Sequence, residues 1–215
     1  MPFDQFTDQI RSAGELTAII GTPMELSLKK ELKSLDEHMR RFIAHSPFVV
    51  ISTHSANGRC DASPRGDPPG SIHVVDDNTL LIPDRPGNKR VDSFRNILET
   101  GSIGLLFLVP GVGETLRVNG RGVLTADPHV LRSFAVDGKL PNTVLRVTVD
   151  AVYFQCARAL ARSRLWDPAS VVDRSSLPST GNLTVAARDT KRDTTAFDAV
   201  AYDAALSERQ KGSLY

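Results

Sequence analysis

Residues 79–125 read TLLIPDRPGNKRVDSFRNILETGSIGLLFLVPGVGETLRVNGRGVLT, and the character of the sequence changes several times along them. The apolar segment TLLIP leads into a basic turn, DRPGNKR. From Asn88 to Leu98 the apolar residues recur at helical spacing, with Asn88 placed to cap the helix. SIGLLFLVP and ETLRVNGRGVLT follow as strands. This stretch therefore predicts three strands, with one helix inserted after the first.

Hairpins surround this stretch on both sides. The β-branched run FVVIST precedes Asn57-Gly58, a strong signal for a tight hairpin, and SIHVV pairs with TLLIP across residues 76–78. Asp127-Pro128 opens a short helix to Val136, and TVLRVTVDAVYFQCA is the last strand. About six or seven strands in hairpins, with few helices, favour a closed antiparallel barrel over a parallel sheet.

The flanks differ from this central part. Apolar residues at spacings of three and four predict one helix over residues 24–44, a shorter helix around Leu16 and Ile19, and an end at Pro47. From Asp167 the chain shows little periodicity until a weak helix near residues 197–206. We therefore expect a helical extension at 1–45, a barrel domain at 46–166, and an irregular tail at 167–215 that is loosely attached or crosses onto a partner.

The sequences of two predicted strands indicate further details of the fold. SIGLLFLVP is apolar throughout, which predicts burial of both its faces. In the next strand, Gly120 and Gly122 suggest a bulge or a close backbone approach.

Composition excludes some classes of function. The net charge is +1, so no overall attraction to nucleic acid or to a membrane surface is expected, and a phosphate group would need a local basic cluster. The N-terminus carries acids where a signal peptide carries bases, and no segment approaches the ~18 apolar residues of a membrane span. Cys60 and Cys156 match no metal or redox spacing, which suits two free thiols in a cytoplasmic protein, a single disulfide being the alternative.

The densest polar cluster lies at residues 84–93. Arg85, Lys89 and Arg90 fall around Gly87, directly after a strand and at the start of a helix. A helix N-terminus presents unpaired N–H groups, so a basic loop there is suited to phosphate binding. The alternative is a solvated loop that caps the helix.

Two other segments are candidates. Residues 60–71 contain several prolines and glycines, which suggests a rigid loop with Arg65 and Asp67 at its tip, or else an inert connection. Thr115 and Arg117 alternate with apolar neighbours, so they project from one face of a strand, which could equally be a plain solvated face.

Several common motifs for catalysis and nucleotide binding are missing from the sequence. The sequence has no dinucleotide-binding glycine motif, no Walker A loop and no nucleophile elbow, and its five histidines form no metal set. No catalytic residues can be named, and an enzyme of this sequence would take its reactive centre from a cofactor.

Taken in order, the segments around Asn57-Gly58, LLIPD, NKR, GLLFLVP and ETLRVNG resemble the FMN-binding split-barrel superfamily of pyridoxamine 5'-phosphate oxidase, over residues 46 to 126. SPRGDPPG, IPDRPGNKR and ETLRVNGR are similar to an uncharacterised bacterial branch of it. The resemblance implies a mainly β fold: an antiparallel split β-barrel with N-terminal helices and a few inserted helices. It also implies a homodimer with cofactor sites between subunits.

The resemblance also implies roles for individual residues. Asn88, Lys89 and Arg90 match the clamp on the FMN phosphate, and Arg65 would supply the charge missing at Ser63. Thr115 replaces a glutamine that reaches the flavin from the other subunit. Trp166 resembles a tryptophan beside the flavin, or else anchors the tail. The residues expected to bind FMN are Ser63, Arg65, Gly66, Asp67, Pro83, Asp84, Arg85, Asn88, Lys89, Arg90, Ser93, Thr115, Arg117 and Trp166.

The expected function is that of an FMN-dependent oxidoreductase acting on a small molecule. The arginine motif with which the oxidase binds its pyridoxal substrate is not matched, so the resemblance implies the cofactor rather than the oxidase reaction. The alternatives are a split barrel that binds the deazaflavin F420 or haem, and a flavin-binding protein without enzymatic activity. The near-neutral charge argues against F420, whose long acidic tail favours additional Lys and Arg.

Overall fold

The computed structural model of the chain describes residues 9–212 and 215, without the side chains of 210–212. Its strands are β1 Phe48–His54, β2 Cys60–Gly66, β3 His73–Val74, β4 Thr79–Asp84, β5 Ser102–Leu108, β6 Thr115–Thr125 and β7 Thr143–Gln155. Its helices are α1 Ala13–Ile20, α2 Glu25–Lys29, α3 Glu37–His45, α4 Asp92–Thr100, α5 Pro128–Arg132, α6 Arg158–Ser163, α7 Thr180–Thr190 and α8 Ala199–Gly212. No helix of the described part is long and apolar enough to cross a membrane.

The strands form one seven-stranded antiparallel sheet in the order β2-β1-β5-β6-β7-β4-β3. The predicted hairpins at Asn57-Gly58 and at residues 76–78 both form, and Gly58 adopts the positive φ of 81° that its turn requires. A mainly antiparallel architecture is therefore confirmed. The two end strands, β2 and β3, do not pair with each other among the described residues, so closure of the sheet into a barrel stays a prediction.

Helix α4 packs against the central strands of the sheet. Its buried face presents Phe94 and Ile97 to the apolar core and contacts β1, β2, β5 and β6. The one buried amide on that face, Asn96, donates to Thr53 Oγ1 at 3.0 Å, so this polar group is satisfied. The helix ends at Gly101, whose φ of 69° is left-handed.

The predicted bulge in β6 is present between Asn119 and Gly120. A Cβ atom on Gly120 would lie 2.0 Å from the carbonyl oxygen of Thr148 on β7. Only glycine allows this approach, because any side chain would overlap main-chain atoms that cannot move aside cheaply.

The single helix predicted over residues 24–44 is wrong. It is divided into α2 and α3, because the main chain of Leu32 exchanges hydrogen bonds of 2.9 and 2.8 Å with Val152 on β7. Asp36 then caps α3 by accepting from the N–H of Met39 at 2.8 Å. The apolar spacing continues across the break, but pairing with a distant strand replaces the helical hydrogen bonds.

Other expectations need correction. In β5, Ile103, Leu105 and Phe107 are buried, whereas Leu106 and Leu108 on the other face are only half-buried, so a single chain does not cover both faces. The helix after Asp127 ends at Arg132 rather than at Val136.

The tail is more helical than its weak periodicity suggested. It contains α7 as well as α8, which overlaps the predicted helix. Helices α7 and α8 pack on each other, with the N–H of Gly181 donating to Asp203 Oδ1 at 2.7 Å and the Arg188 guanidinium 5.2 Å from the Phe197 ring centre. Only Gly181 of α7 is buried, so this helix has no wide apolar face that a periodic pattern could reveal.

Candidate functional site

A cleft of about 740 Å³ opens where the two ends of the sheet come together. One wall comes from the start of β1 and the second half of β2. The opposite wall comes from the end of β4 and the turn that follows it, and the start of β7 lines the floor. Because β2–β1 and β4 stand near opposite ends of the sheet order, the sheet must curve strongly to bring them to one cleft.

Most of the predicted site residues meet in this cleft. Those that line it are Ser63, Arg65, Gly66, Asp67, Pro83, Asp84, Arg85, Asn88, Lys89 and Arg90. Ser93 lines a smaller adjoining cavity of about 220 Å³, whereas Thr115, Arg117 and Trp166 line neither.

The turn at residues 88–90 is locally specified. Asn88 Oδ1 accepts from the N–H of Arg90 at 2.9 Å, and Lys89 adopts a left-handed φ of 60°. Asn88 was expected to cap the helix, but α4 begins at Asp92 and its N-cap residue, Val91, offers no side-chain hydrogen bond. The first N–H groups of α4 therefore lack a side-chain cap beside a basic turn held in a strained conformation, a combination typical of ligand sites.

The two cations of this turn differ in their pairing. Arg90 Nε donates to Asp92, an exposed pair that raises the pKa of Arg90 and lowers the pKa of Asp92. Lys89 is exposed and makes no ion pair with any described residue. Lys89 is therefore the cation that is available to an anion without breaking a contact.

The segment around Arg65 is a strand rather than the predicted rigid loop. Residues Cys60–Gly66 pair along their full length with β1, and Pro64 is tolerated there because β2 is an edge strand with no partner on its other side. Arg65 Nη1 donates to Ser63 Oγ at 2.6 Å, and its guanidinium lies 5.3 Å from the Phe94 ring centre. The strand therefore holds Arg65 rigidly at the cleft wall.

Ser93 is buried under the turn, and its hydroxyl donates to the carboxylate of Asp61 on β2. This contact joins α4 to the edge strand. Ser93 Oγ is therefore committed within the protein rather than directed into the main cleft.

Arg85 and Asp67, both predicted to contact a ligand, line the cleft and form an ion pair with each other. Arg85 Nε lies 2.6 Å from Asp67 Oδ2, with both side chains nearly buried, and Arg85 Nη1 donates to the carbonyl of Phe134 at 2.7 Å. The pair links the loop after β2 to the end of β4 across the open side of the sheet. The pair therefore connects the two walls of the cleft.

Tyr215 completes this cluster, and sequence reasoning missed it. Its hydroxyl donates to Asp67 Oδ1 at 2.7 Å, which raises the pKa of Tyr215, and its ring lies 5.2 Å from the Arg85 guanidinium. The main-chain oxygen of Tyr215 accepts from Lys139 Nζ at 2.9 Å. No local signal could have indicated a contact between residues so far apart in the chain.

Thr143 is the other residue that sequence reasoning missed. It stands directly opposite Asp84 in the β4–β7 pairing, and both residues line the cleft. Thr143 Oγ1 is buried and has no hydrogen-bond partner in the described structure. Burial raises the pKa of Asp84, with the positive charge of Arg65 acting in the opposite direction.

The rest of the lining is largely apolar. The side chains that provide it are Pro47, Phe48, Val49, Ile72, Ile82, Pro83, Val91 and Phe94. The cleft thus combines a basic turn at one place with an apolar wall at another, an arrangement that suits a ligand with an anionic end and a flat apolar part.

The remaining predicted residues lie elsewhere in the chain. Thr115 is buried, Arg117 is exposed and donates to the Tyr153 hydroxyl at 3.0 Å, and Trp166 Nε1 donates to the carbonyl of Val112 at 2.8 Å. None of the three lines the cleft of its own chain. Among the described residues, no group of three or more His, Cys, Asp or Glu side chains could hold a metal ion.

A family model described as pyridoxamine 5'-phosphate oxidase matches residues 35–156. This match covers more than half of the sequence, so the chain belongs to the pyridoxamine 5'-phosphate oxidase family. No curated protein gives a significant match.

Three solved structures illustrate the similarity at low identity. HupZ of Group A Streptococcus is 18% identical, with 55% of this chain and 91% of that chain covered and a TM-score of 0.44. A protein from Lactobacillus delbrueckii, described provisionally as a pyridoxamine 5'-phosphate oxidase, is 20% identical, with 58% and 98% covered and a TM-score of 0.46. An FMN-binding protein from Syntrophomonas wolfei is 15% identical, with 54% and 82% covered and a TM-score of 0.43.

Proposed function

We propose that the chain binds FMN in the cleft and acts as an FMN-dependent oxidoreductase on a small molecule. The observation that carries this proposal is the pairing, in one cleft, of an uncapped helix N-terminus behind a basic turn with an apolar wall. Family membership supports the same assignment.

The residues present fit the phosphate of FMN. Lys89 offers a free ammonium group, Arg90 can exchange Asp92 for a phosphate oxygen, and the first N–H groups of α4 favour negative charge. The left-handed conformation of Lys89 turns the main chain of the loop sharply at this point. These groups together replace the hydration of a phosphate dianion with fixed hydrogen-bond donors.

The residues also fit the remainder of the cofactor. The cleft volume of about 740 Å³ lies within the range of ~300–1,000 Å³ common for ligand pockets. Phe48, Ile72 and Ile82 supply apolar surface that suits a flat aromatic ring system.

FMN, when bound, would supply the redox chemistry. No cysteine or histidine is among the described residues that line the cleft, so the redox step would be left to the cofactor. Its own residues would bind the phosphate, orient the ring system and exclude water from one side of it.

We further propose that a second subunit completes each site. The half-buried residues Leu106 and Leu108 on β5 leave apolar surface for a partner. Thr115, Arg117 and Trp166 lie away from their own cleft, so they can reach a flavin only if they face the cleft of a second copy.

The deciding experiment is spectroscopic. We expect the purified protein, as isolated or after addition of FMN, to show the absorption bands of a bound flavin and to retain them through gel filtration. Bleaching of these bands by NADH or NADPH under anaerobic conditions would support an oxidoreductase, whereas stable bands in the presence of both would favour a non-enzymatic flavoprotein. A haem or deazaflavin spectrum, or failure to retain FMN, would refute the FMN assignment.

A further inference from the structure

The ion pair between Asp67 and Arg85 joins the two walls of the cleft. Asp67 lies in the loop after β2, on one wall, and Arg85 follows the end of β4, on the opposite wall. The side chains of Arg85 and Asp67 are only 15% and 9% exposed. Since both residues line the cleft, the walls cannot separate at this point while the pair is intact.

Arg85 is held in place independently of Asp67. Its Nη1 atom donates to the carbonyl of Phe134 at 2.7 Å. Phe134 is itself buried and fixed, because its ring stacks on the ring of His73 with the centroids 4.1 Å apart. The guanidinium therefore keeps its position when the contact with Asp67 breaks.

Tyr215 contacts both members of the pair. Its hydroxyl donates to Asp67 Oδ1 at 2.7 Å, and its ring centre lies 5.2 Å from the Arg85 guanidinium. Tyr215 does not line the cleft, so it meets the pair from the side away from the cleft. The ring there keeps water from the two charges, and an ion pair is stronger where the surrounding dielectric is lower.

Tyr215 is attached by contacts that can open. Its main-chain oxygen accepts from Lys139 Nζ at 2.9 Å, and the residue is only half-buried. Lys139 is placed by a tight turn, in which Val136 and Lys139 exchange main-chain hydrogen bonds of 3.0 and 2.9 Å. Single hydrogen bonds near the surface contribute little net stability, so Tyr215 can leave and return without unfolding the core.

We propose that the Asp67–Arg85 pair is a gate between the walls of the cleft and that Tyr215 is the latch that keeps it closed. When Tyr215 leaves, one carboxylate oxygen of Asp67 loses its donor and water reaches the pair. A hydrated pair holds less strongly, so the gate opens more often. This inference rests on the proposed function, because FMN is the ligand whose passage the gate controls.

A latch has a kinetic signature that a ligand contact lacks. The contacts of Tyr215 with Asp67, Arg85 and Lys139 are all made within the protein, so the latch closes in the same way over an empty and a filled cleft. Such a gate slows the uptake and the release of ligand by the same factor. Its removal therefore raises both rate constants and leaves the ratio between them, the Kd, unchanged.

The test measures both rate constants for FMN by stopped-flow fluorescence, on protein freed of bound flavin. We expect Tyr215→Ala to raise both by at least about tenfold. Tyr215→Phe keeps the ring on Arg85 and loses only the hydrogen bond, so both rate constants should rise by at least about threefold. The Kd should change by less than about twofold in each variant.

Tyr202→Phe is the matched control. Tyr202 lies on α8, where its ring packs against Phe197, and it does not line the cleft. The same loss of a hydroxyl at this position should change neither rate constant. An equal rise in both rate constants in Tyr202→Phe would overturn the role of Tyr215, because the effect would then not depend on position.

The other outcomes separate the gate from the FMN site. A higher Kd in Tyr215→Phe with an unchanged association rate would overturn the proposal, since the hydroxyl would then support binding rather than a gate. Unchanged rate constants in Tyr215→Ala would overturn it as well, and both results leave the FMN site intact. If wild-type protein binds no FMN at all, the proposed function itself is refuted, and a gate for FMN with it.

Discussion

Lys89 provides the sharpest test of the phosphate site. It is the cation of the turn that pairs with no described residue, and it carries a left-handed φ of 60°. Alanine meets the same backbone penalty at that φ as lysine does, so Lys89→Ala should change the charge without changing the turn.

The expected magnitude follows from the contacts. A charge-assisted hydrogen bond contributes about 1.5–3 kcal/mol, which corresponds to a loss of FMN affinity of roughly 10- to 150-fold. Arg90 must first leave Asp92, and an exposed ion pair contributes up to about 1 kcal/mol. The loss of FMN affinity in Arg90→Ala should therefore be up to about fivefold smaller than in Lys89→Ala, and the double variant should lose at least about 30-fold.

The assay is a pair of titrations, with FMN and with riboflavin, which lacks the phosphate. Only FMN affinity should fall in the Lys89 and Arg90 variants, and the loss should shrink as salt is raised. Lys29→Ala serves as the matched control, because Lys29 is an exposed lysine on α2 that pairs with Glu25 and lies outside the cleft.

Two results would refute the reasoning. Equal losses for FMN and riboflavin would show that the turn has a structural role rather than a phosphate-binding one. An equal loss of FMN affinity in Lys29→Ala would show that net charge, rather than the position of Lys89, controls binding.

Four other predictions can be tested. Light scattering should show a homodimer, and a monomer that binds FMN would contradict this. Trp166→Phe should increase the fluorescence of bound FMN at equal occupancy, since a nearby indole quenches flavin emission. Unchanged emission would contradict the second prediction. Gly120→Ala should destabilise the protein by about 1–3 kcal/mol or more in urea unfolding, because its Cβ would overlap Thr148, whereas Gly87→Ala, in open space, should not. Burial raises the pKa of Asp84 in the folded protein. Its contribution to folding stability is therefore fully present below the ordinary pKa of an aspartate and is lost as the pH rises through the raised pKa. Asp84→Asn should therefore raise the melting temperature at neutral pH, with the gain vanishing at pH 3; a lower melting temperature at neutral pH would contradict this.

Local sequence was sufficient for the hairpins and for the basic turn. Asn57-Gly58 specifies its turn through the positive φ that glycine allows, and this holds wherever the strands lie. Gly120 likewise signalled a close approach before its neighbour was known. The turn at Lys89 also follows directly from sequence order, because a strand end, a glycine and a helix start are adjacent in the chain.

Contacts between distant segments could not be read in this way. Leu32 continues a helical pattern, yet its main chain pairs with Val152, because strand hydrogen bonds were available at that place in the fold. Arg85 was predicted to be a ligand-binding cation, and only the structure shows that Asp67 lies against it. An ion pair of this kind depends on where two chain segments meet, and no local pattern specifies that.

The sequence by itself determined most of the strands, where the hairpin turns fall and which basic residues stand just before α4, because these depend on neighbours within a few positions. The tertiary structure alone decided which of the candidate charges remain available. It pairs Arg85 with Asp67 and places the Tyr215 side chain against both. It also leaves the hydroxyl of Thr143, opposite Asp84, without a hydrogen-bond partner among the described residues. The reason is physical: the availability of a polar group depends on what the folded chain brings within hydrogen-bonding distance of it.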